Sequence, residues 1–411
     1  MLYILNMIKD LKRIGSVVSN INKYISDDMK CLTNKSIYRD VSEMPKRIVA
    51  LGDIHGDFEA LLNILYDSQV IDKSGNWIAK DTFLVQTGDI FDKYRNMKLD
   101  QNVILNDGSL YDISVKSPDY KPEYGNPDDE LVILGYLTDL HQQAIYGDFG
   151  NSRVILCMGN HEHLNTRIRG SEQYMSQYMN TSLEQFYGGP DLPIRDKILK
   201  PSKGDLAVRF ACIFKVCVVI GNFIFLHGGI NNFNFNNIRK IEDIEHINNH
   251  LYNYFLIGKP LPEEITEQIY GLLWTREYSN VNGIDRSSCN KFFSLANRIG
   301  ERDLNMVIGH TPQLLNASAY VSTYDPDVVK KYPYTTRINS VCGNRIYRID
   351  TMMSRGFNIG VNDYREVQFG RLNALEINFN PDGSMDKVYN IYHSGNANFV
   401  KTEHIRQVPE F

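Results

Sequence analysis

With 411 residues, of which 43% are hydrophobic and 23% charged, the chain has a globular composition and is long enough for one large domain or two smaller ones. A formal net charge of -5 argues against a nucleic-acid-binding face spread over the whole surface. No stretch reaches the roughly 18–20 apolar residues that cross a bilayer, so no stable membrane insertion is expected.

The chain opens with Leu2, Leu5, Ile8, Leu11 and Ile14 at helical spacing, interrupted by Lys9, Asp10, Lys12 and Arg13. This predicts an N-terminal helical extension over 1–43, without the unbroken apolar run and small-residue cleavage site of a signal peptide. Cys31, Cys157, Cys212, Cys217, Cys289 and Cys342 form no CxxC pair. Cys157, Cys212 and Cys217 lie in apolar runs and read as free buried thiols, which suits a reducing compartment and a cytoplasmic location.

From residue 47 onward, short apolar runs each end in a small, Gly-containing turn. RIVAL (47–51) enters GDIHGD at 52–57, TFLV (82–85) enters TGDIFDK at 87–93, and RVILCM (153–158) enters GNHE at 159–162. NFIFL (222–226) enters HGG at 227–229, and NMVI (305–308) enters GHTP at 309–312. Runs of four to six β-branched and aromatic residues read as buried strands. Helical pattern fills FEALLNILYDS, ending at Ser68, and ELVILGYLTDLHQQAI at 130–145, so strands alternate with helices in an α/β arrangement. After residue 340, RIYRIDT, NALEINF and KVYNIY follow without long helices between them and predict a second sheet. The ordered domain is placed at 44–395, with insertions at about 94–128 and 163–205 over the site and a tail at 396–411.

In open α/β sheets, ligands bind beyond the carboxyl ends of the strands. Five separate strands here deliver a hard oxygen or an imidazole within a few residues of their ends: Asp53 and His55, Asp89 and Asp92, Asn160 and His161, His227, and His310. Glycines 52, 56, 88, 159, 228 and 309 flank these ligands, as tight turns toward a shared centre require. A mixed carboxylate, amide and imidazole set suits Mn, Fe or Zn rather than Ca. Two such ions can clamp a phosphoryl group and activate water for in-line attack.

GDIHG, GDIFD, GNHE, HGG and GHTP, in this order, resemble the motif set of calcineurin-like metallophosphoesterases. The single-His last motif is similar to the phosphoprotein phosphatase group. GNHEHLN (159–165), WTREY (274–278), GHTPQ (309–313) and RIDTMMS (348–354) resemble its Shewanella-like (Shelph) branch. The resemblance spans roughly 47–380 and implies a four-layer α-β-β-α sandwich of two mixed sheets with the metal site at strand C-terminal ends. It implies two divalent metal ions, one on Asp53 and His55, the other on Asn160, His227 and His310, with Asp89 bridging. It further implies attack by a metal-bridging hydroxide, with His161 as general acid and Asp92 orienting it. Phosphorylated proteins or peptides are the implied substrates. A dinucleoside-polyphosphate or nucleotide hydrolase and a pseudophosphatase scaffold are the alternatives.

One motif departs from the family pattern. GDxxDRG would place an Arg on the phosphate, whereas this chain has Lys93, with Arg95 two residues on. Lysine is a point charge without arginine's bidentate fork. Lys93, Arg95 and Arg276 of WTREY are the candidate phosphate contacts, with Arg169 and Arg355 as weaker ones. Glu162 reads as a hydrogen-bonding support for the GNHE loop, and Asp57 and Asp350 as supports or turn residues. His141, His246, His250, His393 and His404 read as surface or helix residues, and His163 matches no ligand position.

Overall fold

The computed structural model describes residues 35–92, 103–104, 110–111, 129–166, 199–231, 238–279, 283–313, 337–354, 372–393 and 399–411. The N-terminal extension before residue 35, Lys93, Arg95, Arg169, Arg355 and most of both insertions lie outside the described residues.

The strands in chain order are β1 (Ile37–Tyr38), β2 (Arg47–Leu51), β3 (Thr82–Gln86), β4 (Val103–Ile104), β5 (Leu110–Tyr111), β6 (Arg153–Cys157), β7 (Phe214–Lys215) and β8 (Cys217–Ile220). They continue with β9 (Phe223–Leu226), β10 (Asn305–Ile308), β11 (Asn339–Val341), β12 (Ile346–Arg348), β13 (Asn373–Phe379), β14 (Met385–His393), β15 (Phe399–Thr402) and β16 (Arg406–Gln407). The helices are α1 (Phe58–Asp67), α2 (Asp129–Tyr146), α3 (Asn160–Thr166), α4 (Ala207–Ile213), α5 (Asp243–Ile257), α6 (Glu263–Thr266) and α7 (Arg286–Arg298).

Two seven-stranded mixed sheets result, in the orders β15-β14-β13-β2-β3-β6-β7 and β1-β8-β9-β10-β12-β11-β16, while β4 and β5 pair only with each other. Ile48 and Ala50 of β2, Phe83 and Val85 of β3, and Ile155 and Cys157 of β6 share one core with Val218, Phe223, Phe225 and Val307 of the other sheet. The alternate residues of β2, β3 and β6, among them Val49, Leu84 and Leu156, join Leu61, Ile64 and Leu65 of α1 and Leu134 and Leu137 of α2 in a second core. Ile224 and Met306 do the same with Leu251 and Phe255 of α5 and Phe292 and Leu295 of α7. The layering is therefore the expected α-β-β-α sandwich. Strands covered on both faces read as continuous apolar runs, which is why β2, β3, β6, β9 and β10 showed no polar alternation. Among the described residues, no helix is long and apolar enough to cross a membrane.

Three expectations change. The strands after residue 340 do not build a sheet of their own: β11 and β12 extend the sheet of β9 and β10, whereas β13 and β14 extend that of β2. Adding strands to existing edges pairs backbone groups that would otherwise lie open. The tail is part of the domain, because β15 pairs with β14, β16 pairs with β11, and the Phe411 ring fills the space beside Gly283. At the other end, β1, read as part of the extension, pairs with β8. Third, Cys212 is disulfide-bonded, as are Cys289 and Cys342 to each other, whereas Cys157 and Cys217 are free and buried. The cysteines therefore no longer argue for a reducing compartment, where such bonds are rare.

The Cys289–Cys342 bond ties α7 to the turn after β11 across 53 residues of chain. Replacing Cys342 with Ala should lower the unfolding free energy by about 2–4 kcal/mol in denaturant titration without reductant, and an unchanged midpoint would contradict the cross-link.

Candidate metal centre

The two sheets aim their carboxyl ends at one place because β2, β3 and β6 run parallel in one, and β9, β10 and β12 in the other. Each turn leaving a strand has to bend back sharply to present its side chain. His55, Asp89, Asp92 and His310 accordingly take left-handed backbone conformations, with φ of 41°, 59°, 66° and 66°. Such conformations cost of order 1–3 kcal/mol each for a residue with a Cβ, and they concentrate at functional sites. Glycine is required at two neighbouring positions. An added Cβ at Gly159 would collide with Asp89 Oδ1, and one at Gly309 with Asp53 Oδ1.

The structure brings the ligands together in two overlapping groups. Asp53, His55 and Asp89 place one donor atom each within 4.8 Å of one another, and Asp89, His227 and His310 do the same. Asp89 belongs to both, and all five residues are buried. His227 Nε2 lies 3.3 Å from Asp89 Oδ2 and 2.8 Å from Asn160 Oδ1, which puts the amide oxygen at the second group.

Backbone carbonyls set the imidazole orientations. His55 Nδ1 is 2.7 Å from the Phe91 carbonyl, His227 Nδ1 is 2.9 Å from that of Thr87, and His310 Nε2 is 2.9 Å from that of Trp274. A proton on each of these nitrogens would leave the opposite ring nitrogen as a lone-pair donor for a cation. The Glu162 carboxylate accepts from the backbone N–H groups of Asp89, Ile90, Phe91 and Gly159 at 2.7–3.1 Å, locking the second and third turns to each other.

The electrostatics match a site built for cations. Burial opposes ionisation of Asp89, but the His227, His161 and His55 imidazoles around it hold its carboxyl well below the usual range. Burial pushes His227 down, yet the Asp89 carboxylate outweighs it and the net shift is upward. Burial, with repulsion from His227 and Arg276, holds His310 well below its ordinary value, so it is a neutral donor. A buried set of carboxylates, an amide and inward-facing imidazoles fits two divalent cations that share Asp89.

His161 stands beside the ligands without joining either group. Its Nδ1 is 2.6 Å from Asp92 Oδ2, and its Nε2 faces Asp89 Oδ2 at 3.9 Å. Asn165, one helical turn further along α3, donates to the same Asp92 oxygen at 2.8 Å. Arg276 is exposed at the rim, where its Nη1 donates to Thr311 Oγ1 at 3.1 Å and lies 3.3 Å from the His310 carbonyl.

The other candidates have structural places. Asp57 caps α1 by accepting from Ala60 N–H, and the Asp350 side chain accepts from Met352 N–H. His163 packs its ring against Tyr254. His141 lies in α2, as a helix residue should, but it is buried against β6 and pushed down to about 4 by burial. Asn165 was missed as a site residue, although its spacing of four from His161 within GNHEHLN was visible. The Phe91, Thr87 and Trp274 carbonyls carry no side-chain signal.

Residues 46–343 match the family described as calcineurin-like phosphoesterase. Shewanella-like protein phosphatase 1 of Plasmodium berghei (strain Anka) is 28% identical over 382 residues, covering 90% of this chain and 81% of its own length. Shewanella-like protein phosphatase 2 of Arabidopsis thaliana is 23% identical over 366 residues, covering 79% of this chain and 76% of its own. Among solved structures, a cold-active protein-tyrosine phosphatase of a psychrophilic Shewanella species superposes with a TM-score of 0.52 at 17% identity, covering 86% of this chain and 82% of that one. The last likeness is one of fold.

Because Asp89 belongs to both donor groups, its replacement should be the most damaging. By elemental analysis of dialysed protein, Asp89→Ala should lose both ions, whereas His55→Ala and His310→Ala should each retain one. Equal loss from all three variants would contradict the shared carboxylate. Glu162→Gln should weaken metal binding about 10- to 100-fold through the turns it holds, measured by chelator competition.

Proposed function

The chain belongs to the calcineurin-like phosphoesterase family, on the Shewanella-like phosphatase branch, and on that footing we propose that it is a protein phosphatase hydrolysing phosphomonoesters of Ser, Thr or Tyr. The observation that carries this reading is the His161–Asp92 pair, joined at 2.6 Å with His161 Nε2 turned toward the shared carboxylate. In that position a proton can be handed to a leaving ester oxygen.

Asp53 and His55 would hold one divalent ion, Asn160, His227 and His310 the other, and Asp89 both. Bound there, divalent ions would supply Lewis acidity, neutralising phosphoryl charge and activating water as the nucleophile. Mn, Fe and Zn are the ions this donor set fits.

The chain's own residues supply the remaining steps. Arg276, beside His310 at the rim, binds a phosphoryl oxygen and presents the ester bond to the centre. Lys93 and Arg95, which follow Asp92 in sequence, are proposed as further phosphate contacts. His161 donates the Nε2 proton to the departing alkoxide or phenoxide. Asp92 keeps Nδ1 protonated and stabilises the imidazolium, as a buried carboxylate does for a catalytic histidine. Asn165 fixes Asp92 through its amide N–H. The P–O bond to the substrate side chain breaks as the bond to the attacking oxygen forms, and inorganic phosphate and the free hydroxyl leave.

A single His after Gly309 also favours monoesters. The motif continues with Thr311 and Pro312, so it offers no second imidazole to the first ion.

Purified protein supplied with Mn should dephosphorylate phosphopeptides and a nitrophenyl phosphate. Absence of turnover with every divalent metal would contradict the reading, and preference for dinucleoside polyphosphates would move it to nucleotide hydrolysis. His161→Ala should lower kcat about 10²- to 10⁴-fold with both metals still bound, whereas metal loss would make His161 a ligand.

A further inference from the structure

Behind the rim of the centre lies a buried cation to which the mechanism above gives no role. Arg348 ends β12, in register with Ile308 of β10 and paired across strands with Asn339 of β11. Only 1% of it is exposed, and burial, together with repulsion from Arg406, pushes its guanidinium down to about 9. A charge is expensive to bury unless its donors are committed to acceptors. Here Nε donates to Asn339 Oδ1 at 2.6 Å and Nη1 to the Tyr278 carbonyl at 2.8 Å.

Both contacts lead to the rim. Tyr278 closes the WTREY turn that carries Arg276 and Trp274, the residue whose carbonyl orients His310, and its hydroxyl anchors that turn on the Ile230 carbonyl at 2.7 Å. On the other side, Asn339 Nδ2 donates to Gln313 Oε1 at 3.2 Å, and Gln313 Nε2 donates to the Thr311 carbonyl at 2.6 Å. Thr311 Oγ1 in turn accepts from Arg276 at 3.1 Å. The links run from Arg348 through Asn339, Gln313 and Thr311 to Arg276, and return through the turn at Tyr278. Two segments meet here, one bearing Arg276 after α6 and the other bearing His310 after β10, and the Arg348 guanidinium is linked to both.

We propose that Arg348 is a positioning residue for phosphoryl recognition, setting where the Arg276 guanidinium stands over the metal centre. The proposal rests on reading Arg276 as a phosphate contact. Arginine's fork is what the position needs, because two acceptors on separate segments must be met in a fixed geometry. A lysine meets one of them.

The test uses the full chain loaded with metal, a nitrophenyl phosphate as substrate and inorganic phosphate as inhibitor. Arg348→Met should raise KM and the phosphate inhibition constant about tenfold, leave kcat within about threefold and leave metal content unchanged. In an Arg276→Ala background the same substitution should add less than about twofold, since the two residues act through one contact. Full additivity, or a lowered Tm with unchanged KM, overturns the proposal. Should Arg348→Met fail to fold, Gln313→Ala cuts the same circuit without stranding the guanidinium's acceptors, and it must give the same KM rise or the proposal fails. If Arg276→Ala leaves phosphate inhibition unchanged, the reading of Arg276 is wrong and the proposal falls with it. If Arg276→Ala weakens inhibition and Arg348→Met does not, the proposal alone falls.

Discussion

The structure depends on one carboxylate. Asp89 is the single residue common to both donor groups, and it sits in a left-handed turn at the end of β3. Oδ2 faces His227, His55 and His161, while Oδ1 accepts the His161 backbone N–H at 2.9 Å. Holding an ionised carboxylate in the interior is costly without opposite charge. The surrounding imidazoles, and cations when bound, offset that cost. Gly159 exists as glycine because nothing larger fits beside this side chain. Glu162 fixes the Asp89 turn by accepting from the backbone N–H groups of Asp89, Ile90 and Phe91.

The two-sheet architecture follows from the same requirement. A dinuclear site needs ligands from many directions, and one strand end supplies only one or two. Opposed sheets whose parallel strands end at a common rim bring five strand ends together. Helices then cover the outer faces, and α3 begins at the site itself with Asn160 and His161. His161 is on the same turn as Asn160, yet its ring turns to Asp92 and joins neither donor group.

Much of this was legible in the chain. The strands β2, β3, β6, β9 and β10 are short apolar runs ending at glycines, and the ligands are chemically distinctive side chains placed directly after them. What could not be read lies in partners rather than in types. The runs over β12 to β14 announce strands but not which edge each joins, because pairing is decided by the free edges of sheets already formed. Strands β15 and β16, four and two residues long and largely polar or exposed, have too little pattern to distinguish from a tail. Cys289 and Cys342 meet only through the packing of α7 against the turn after β11. The carbonyls of Phe91, Thr87 and Trp274 orient three imidazoles and belong to the backbone, which every residue shares. Asn165 is the instructive case, since its helical spacing from His161 was visible but its partner, Asp92, comes from another turn.

The reading that matters most is that Asp89, common to both donor groups, would hold two divalent ions jointly. Electron paramagnetic resonance of the protein titrated with Mn(II) tests this directly. At two equivalents the spectrum of isolated ions should give way to that of an exchange-coupled pair, and Asp89→Ala should abolish the coupled signal. A spectrum of uncoupled ions at full occupancy, in the unaltered protein, would contradict it.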